Sequence, residues 1–141
     1  MKPCVFDANT VVSAALNPAG LPRRAIALAR AQGVIALSAA VHDEIAEVLA
    51  RPKFARILTG ERRRDILELL SAAALWVEPT ERVAECRDAK DDRYLELALA
   101  AGAGAIISGD EDLLVLHPWR GIPILRPAAF LAAFGDEEPT A

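Results

Sequence analysis

The 141-residue sequence predicts an α/β fold in which a parallel sheet is covered by helices on both faces. Three observations lead there. Apolar, strand-like runs recur at 3–7, 34–37, 75–77, 105–108 and 122–125. The segments between them carry helical periodicity, and strands alternating with helices build parallel sheets rather than hairpins. Hydrophobic residues make up 53% of the chain, enough for a compact core and too many for a disordered one.

In chain order, Cys4-Val5-Phe6 runs into Asp7, and the first long helix is expected at 21–32. After the second strand, a helix over 38–51 shows a buried stripe of Val41, Ile45, Val48 and Leu49, the i, i+4, i+7, i+8 pattern. Pro52 is expected to stop it, because its ring cannot continue the hydrogen-bond ladder. A third helix follows at 60–74 and a fourth at 91–101, whose inward face reads Tyr94, Leu95, Ala98 and Ala101. Gly102 suits the left-handed residue that ends such a helix. A last helix is expected at 127–134, closing one domain over 1–134. The acidic segment 135–141 is expected to fray. Trp76 and Trp119 read as packing residues.

Composition excludes several classes. No apolar run reaches the roughly 18 residues of a membrane span. The N-terminus lacks the order of a signal peptide, so the mature chain is expected to start at Met1 and stay in the cytoplasm. Cys4 and Cys86 form neither a disulfide framework nor a metal-ligand spacing, and read as reduced thiols. With only His42 and His117, a histidine-rich zinc site is disfavoured. A formal net charge of −4 does not suit a protein that grips nucleic acid through bulk charge, so any such partner needs a metal and local basic patches.

Chemistry centres on acids. Asp7 and Asp110 directly follow the first and fourth strand-like runs, and carboxylates at the carboxyl ends of parallel strands face the crevice where α/β sheets bind ligands. Strands one and four commonly flank the switch point, which places Asp110 beside Asp7. Either Asp could simply cap the next helix. Around Asp7, however, Asn9, Thr10 and Ser13 add more polarity than a cap needs, and Gly109 permits a sharp turn before Asp110. Glu44 falls beside Val48 on the flank of its helix stripe, while Asp43 points away; an ordinary boundary glutamate is the plainer account. At about 100° per residue, Asp91 shares the inward face with Ala98 and Asp92 is turned away, with Asp88 before the helix. Dipole and capping effects alone would also favour acids there. Several carboxylates in one crevice repel one another unless a cation sits among them, so a divalent metal site is expected.

Taken together, Val5-Phe6-Asp7-Ala8-Asn9, Ser38 with Glu44-Ile45-Ala46-Glu47-Val48-Leu49 and Arg51-Pro52-Lys53-Phe54, Asp88 with Asp91-Asp92 and Leu95-Glu96-Leu97-Ala98, and Ile107-Ser108-Gly109-Asp110-Glu111-Asp112-Leu113-Leu114 resemble the ordered signatures of PIN-domain ribonucleases. The likeness is greatest to the branch of toxin components of bacterial toxin–antitoxin systems (VapC-like), and it extends to the closing Arg126-Pro127-Ala128-Ala129-Phe130-Leu131. It implies a three-layer α/β/α sandwich with a five-stranded parallel sheet, Mg²⁺ or Mn²⁺ held by acids, and metal-dependent RNA cleavage. By motif position, Asp7, Glu44, Asp91 and Asp110 correspond to the acidic quartet. Asn9 and Ser108 correspond to accessory polar positions, with Asp92 and Asp112 as further accessory acids. The Asp91-Asp92 pair leaves the register of the third acid open.

Mg²⁺ takes one or two direct carboxylates and keeps several waters. Asp7 and Asp110 are therefore expected to make the main contacts, and Glu44 and Asp91 to bind a second ion or orient waters. On that expectation, the metal would supply a more acidic water as the nucleophile toward phosphorus. Arg51, Lys53 and Arg56, and Arg62-Arg63-Arg64, could hold RNA phosphates in a sequence-blind way, or form a merely solvated basic face. A small antitoxin and a homodimer are implied by the resemblance. A haloacid dehalogenase-type phosphatase is the rival enzyme, but it needs an acid where Asn9 stands. A receiver-like signalling domain lacks its Asp after the third strand, where Val77-Glu78-Pro79 occurs. A catalytically silent PIN-fold binding module is the remaining alternative.

Overall fold

A computed structural model of the chain describes residues 1–135; the acidic segment expected to fray lies, from Asp136 onward, outside the described residues. In order, the elements are β1 (Cys4–Phe6), α1 (Ala8–Leu16), α2 (Leu21–Gln32), β2 (Ala36–Leu37), α3 (Ala39–Leu49), α4 (Pro52–Ala55), α5 (Gly60–Ser71), β3 (Leu75–Trp76), a 3₁₀ turn (Ala89–Asp91), α6 (Asp92–Ala101), β4 (Ala105–Ile107), α7 (Glu111–Leu114), β5 (Ile124–Leu125) and α8 (Pro127–Phe134). Helix starts follow local chemistry. Asp7, Ser38, Thr59 and Asp110 accept hydrogen bonds from the backbone N–H of Thr10, Val41, Arg62 and Asp112, which satisfies donors that a first helical turn leaves unpaired. Gly102 ends α6 at φ 63° and ψ 44°, as expected of a left-handed cap.

The helices depart from the sequence expectation at three places. The α1 segment opens with Asn9, Thr10, Val11 and Val12, poor helix formers in sequence, and is stabilised by burial of Val11, Val12, Ala14 and Ala15 and by the Asp7 cap. The helix expected over 38–51 ends at Leu49, and Pro52 starts α4 instead of stopping α3. Proline is well suited to a first helical turn, where its missing N–H is not needed. The third departure is α7, a single turn set up by the Asp110 cap.

The strands are all parallel but do not form one five-stranded sheet. β1, β4 and β5 pair in the order β1-β4-β5, while β2 and β3 pair separately. A single bridge, Cys4 to Ile35, joins the two, with Cys4 N–H donating to Val34 O at 2.9 Å. Hydrophobic runs specify which segments become strands, but not how many ladder bonds neighbours close. Twist between adjacent strands of about 20–25° leaves two- and three-residue strands little length to share. Trp76, expected to pack, sits on the outer strand β3 and is 52% exposed, whereas Trp119 is buried.

Every residue of β1 and β4 is buried. Successive strand residues face opposite sides, so both faces of these strands are covered, as in α/β folds. α6 packs on β1, β2 and β4, and Phe130 of α8 meets Phe6 edge-on at 6.4 Å. From β1 the chain crosses one way to β2 and later the other way to β4. The order therefore reverses at β1, and the crevice beyond the carboxyl ends of β1 and β4 is where such a fold places a ligand.

Candidate metal centre

Asp7 and Asp110 meet at that crevice because β1 and β4 are hydrogen-bonded neighbours, Phe6 pairing with Ile107. Asp7 is 3% exposed. Its Oδ1 accepts the Thr10 N–H of the helix cap, and its Oδ2 accepts the Ser108 hydroxyl in a short hydrogen bond. The same Ser108 oxygen accepts the Asp110 N–H at 2.9 Å, and Asp110 Oδ1 accepts the Asp112 N–H at 2.9 Å. Ser108 thus couples the two acids through one buried hydroxyl. Capping and siting in the crevice do not compete: each Asp does both.

Asp91 lies in the 3₁₀ turn before α6 and reaches the same crevice. Carboxylate oxygens of Asp91, Asp110 and Asp112 all lie within 4.8 Å of one another. Asp112, read from sequence only as an accessory acid, belongs to this tight trio. Asp91, expected on the inward helix face, reaches the crevice but is only half-buried. Asp92 is the buried one, and its Oδ1 accepts N–H bonds from Glu85 and Cys86 at 3.0 and 2.8 Å. The single step from Asp91 to Asp92 turns the chain by about 100–120°, which sends the two carboxyls in different directions. Asp92 is therefore turned away from the acid trio and anchors the 85–86 loop. Asp88, placed by sequence before the helix, caps the 3₁₀ turn and lines the crevice.

Glu44 lines the opposite wall. Its Oε1 accepts the Tyr94 hydroxyl at 2.8 Å and lies 3.4 Å from Arg93 Nη1. Asp7, Asn9, Glu44, Asp91 and Asp110 share the walls of one cleft of about 210 Å³ with Arg51, Asp88, Lys90 and Tyr94. Asn9 also borders a second groove, with Thr10, Ser13, Gly109 and Asp110. Of the basic residues expected to hold phosphate, Arg51 lines the cleft and also pairs with Glu47 at 3.5 Å. Lys53 lies over the Phe54 ring and, with Arg56, does not line it. Arg62 faces a different hollow, with Arg23 and Asp65 between α1 and α5. Tyr94 and Lys90 were missed by sequence reasoning. Tyr94 looks like one more apolar position on the α6 stripe, and nothing in the pattern marks its hydroxyl.

Crowding shows in the acid–base behaviour. Burial pushes the Asp91 carboxyl up to about 7, helped by the charges of Asp110 and Asp88, a hydrogen bond with Asp110, and the charge of Asp7. Burial also raises Asp7 above its ordinary value; the Ser108 and Thr10 hydrogen bonds oppose this and the Asp110 charge reinforces it. At Asp92 burial likewise raises, but the Cys86 and Glu85 N–H bonds outweigh it and hold the carboxyl low. The donors here are carboxylate oxygens, with no His or Cys among the trio. Arg87 Nη1 lies 3.9 Å from Asp112 Oδ1, and the crowded hard oxygen donors fit a divalent cation.

Comparison with known proteins agrees with this geometry. The family described as "PIN domain" matches residues 3–112, a span that runs from β1 to Asp112 and includes every acid of the crevice. The chain is also similar to "Uncharacterized protein MJ1680" of Methanocaldococcus jannaschii, at 31% identity over 115 residues, covering 80% of this chain and 74% of that protein.

Proposed function

The chain belongs to the PIN-domain family, whose members are generally nucleases, and we propose that it is a metal-dependent ribonuclease using Mg²⁺ or Mn²⁺. The observation that carries this reading is the approach of the Asp91, Asp110 and Asp112 oxygens to within 4.8 Å, with Asp7 buried behind them. Asp7 and Asp110 would make the direct contacts to the cation, and Asp91, Asp112 and Glu44 would bind a second ion or orient its waters. When bound, the cation supplies a more acidic water as nucleophile and positive charge for the leaving oxygen.

The residues provide the positioning. Asp7 cannot swing, because both its oxygens are engaged by Thr10 and Ser108. Asp110 is held by its own N–H on Ser108 and by its cap on Asp112. Arg51 and Lys90, on the rim of the cleft, offer charge to phosphates flanking the bond to be cut. RNA grip of this kind is sequence-blind and weakens as salt rises.

Asp7→Asn is expected to lower Mn²⁺-dependent cleavage of single-stranded RNA by at least about 100-fold, the upper range for loss of an outer-shell partner. Circular dichroism should stay unchanged, since Asn retains an acceptor for the cap. Cleavage by this variant at the wild-type rate, or wild-type cleavage that persists in chelator, would refute the assignment. The toxin role belongs to the same proposal, with a small antitoxin partner, a homodimer and action in the cytoplasm. Growth arrest on induced expression, relieved by Asp7→Asn or by a small co-expressed neighbour, is the outcome it requires.

A further inference from the structure

We infer that Tyr94 is a positioning residue of the centre: its hydroxyl presents Glu44 to the cleft through a single carboxylate oxygen and ties that glutamate to the Asp7 turn. The inference rests on the metal-dependent reading above. Tyr94 is 2% exposed, and its ring fills the core beneath α6. Packing needs only the ring. The hydroxyl does something further, accepting the Ala8 N–H at 3.1 Å and donating its one proton to Glu44 Oε1 at 2.8 Å. With the backbone donor occupying a lone pair, the phenolic proton is directed to the carboxylate.

Arg93 Nη1 approaches the same oxygen at 3.4 Å, so Oε1 is occupied from two sides and Oε2 is the atom left for a ligand. Ala8 directly follows Asp7. One hydroxyl therefore links the first turn of α1, residue 44 of α3 and residue 94 of α6, partners separated by 86 and 50 residues in sequence. Partners of this kind, which orient a metal-binding carboxylate without touching the metal, typically alter metal affinity by about 10–100-fold when removed.

Calorimetric titration of Mn²⁺ into the full-length protein tests this without an activity assay. Tyr94→Phe, which keeps the ring, is expected to bind Mn²⁺ about 10-fold more weakly while remaining folded by circular dichroism. In a Glu44→Ala background the same change should cost nothing further, because the carboxylate it positions is gone. Equal Mn²⁺ affinity in wild type and Tyr94→Phe overturns the inference and leaves the metal centre standing. A loss of the same size in the Glu44→Ala background also overturns it, since Tyr94 would then act by general stiffening of the fold. Absence of Mn²⁺ binding by the wild type removes both.

Discussion

Asp91 and Asp92 are adjacent in the chain, and their carboxyls shift in opposite directions. Asp91 is pushed up to about 7 from 3.8 by burial and neighbouring acids. Between those values the folded chain holds a proton that the unfolded chain has released. Its contribution to stability is therefore complete at low pH and is lost as pH rises through about 7. Thermal melts in chelator should show the melting temperature falling from pH 5 to pH 8, with a flatter profile in Asp91→Asn. A rising wild-type profile that Asp91→Asn leaves unchanged would contradict the crowding. Asp92 has no part in the trio and holds two backbone N–H groups of the 85–86 loop. Asp92→Ala orphans both, and urea unfolding should register a loss of about 1–3 kcal/mol, with Mn²⁺ affinity retained. Sequence favoured Asp91 as the crevice acid but could not foresee that Asp92 is buried, because its partners come from the separate 85–86 loop.

Among the elements, helix periodicity was legible where helices are long. The expected 21–32 helix coincides with α2 and the expected 127–134 helix with α8. What stayed illegible were α1, α4 and α7, whose stability comes from caps and burial rather than from a stripe. Gly102 is the clearest case of a legible stop. At φ 63° a side chain is strained even though an added Cβ would meet nothing within 4 Å. Gly102→Ala should therefore cost about 1–2 kcal/mol by the left-handed penalty alone, read as a lower urea midpoint with unchanged slope. An unaltered midpoint would mean that α6 ends differently in solution. β2 and β3 were legible as strands, but their separation from the main sheet was not, because ladder closure depends on twist and length.

Over the whole molecule, the crevice gathers carboxylates in a chain whose formal net charge is already −4. A ligand that binds only the folded form stabilises it by mass action, about 2.7 kcal/mol at 100 times its dissociation constant. Mn²⁺ should therefore raise the melting temperature in a saturable way, and the rise should vanish in Asp110→Asn. An equal rise in that variant would point to cation binding elsewhere. Among the described residues no helix is long and apolar enough to cross a membrane.

Sequence by itself determined the class of fold and the roster of acids. Those follow from local quantities: apolar periodicity, the polar residues that close a strand, and the absence of histidine and cysteine ligands in useful spacing. Only the tertiary structure decided that Asp112 joins Asp91 and Asp110, that Asp92 turns to the 85–86 loop, and that Tyr94 holds Glu44. The physical reason is one of range. Strand and helix propensity are settled within a few residues, whereas a shared hydrogen bond between residues 44 and 94 exists only once α3 and α6 have packed together.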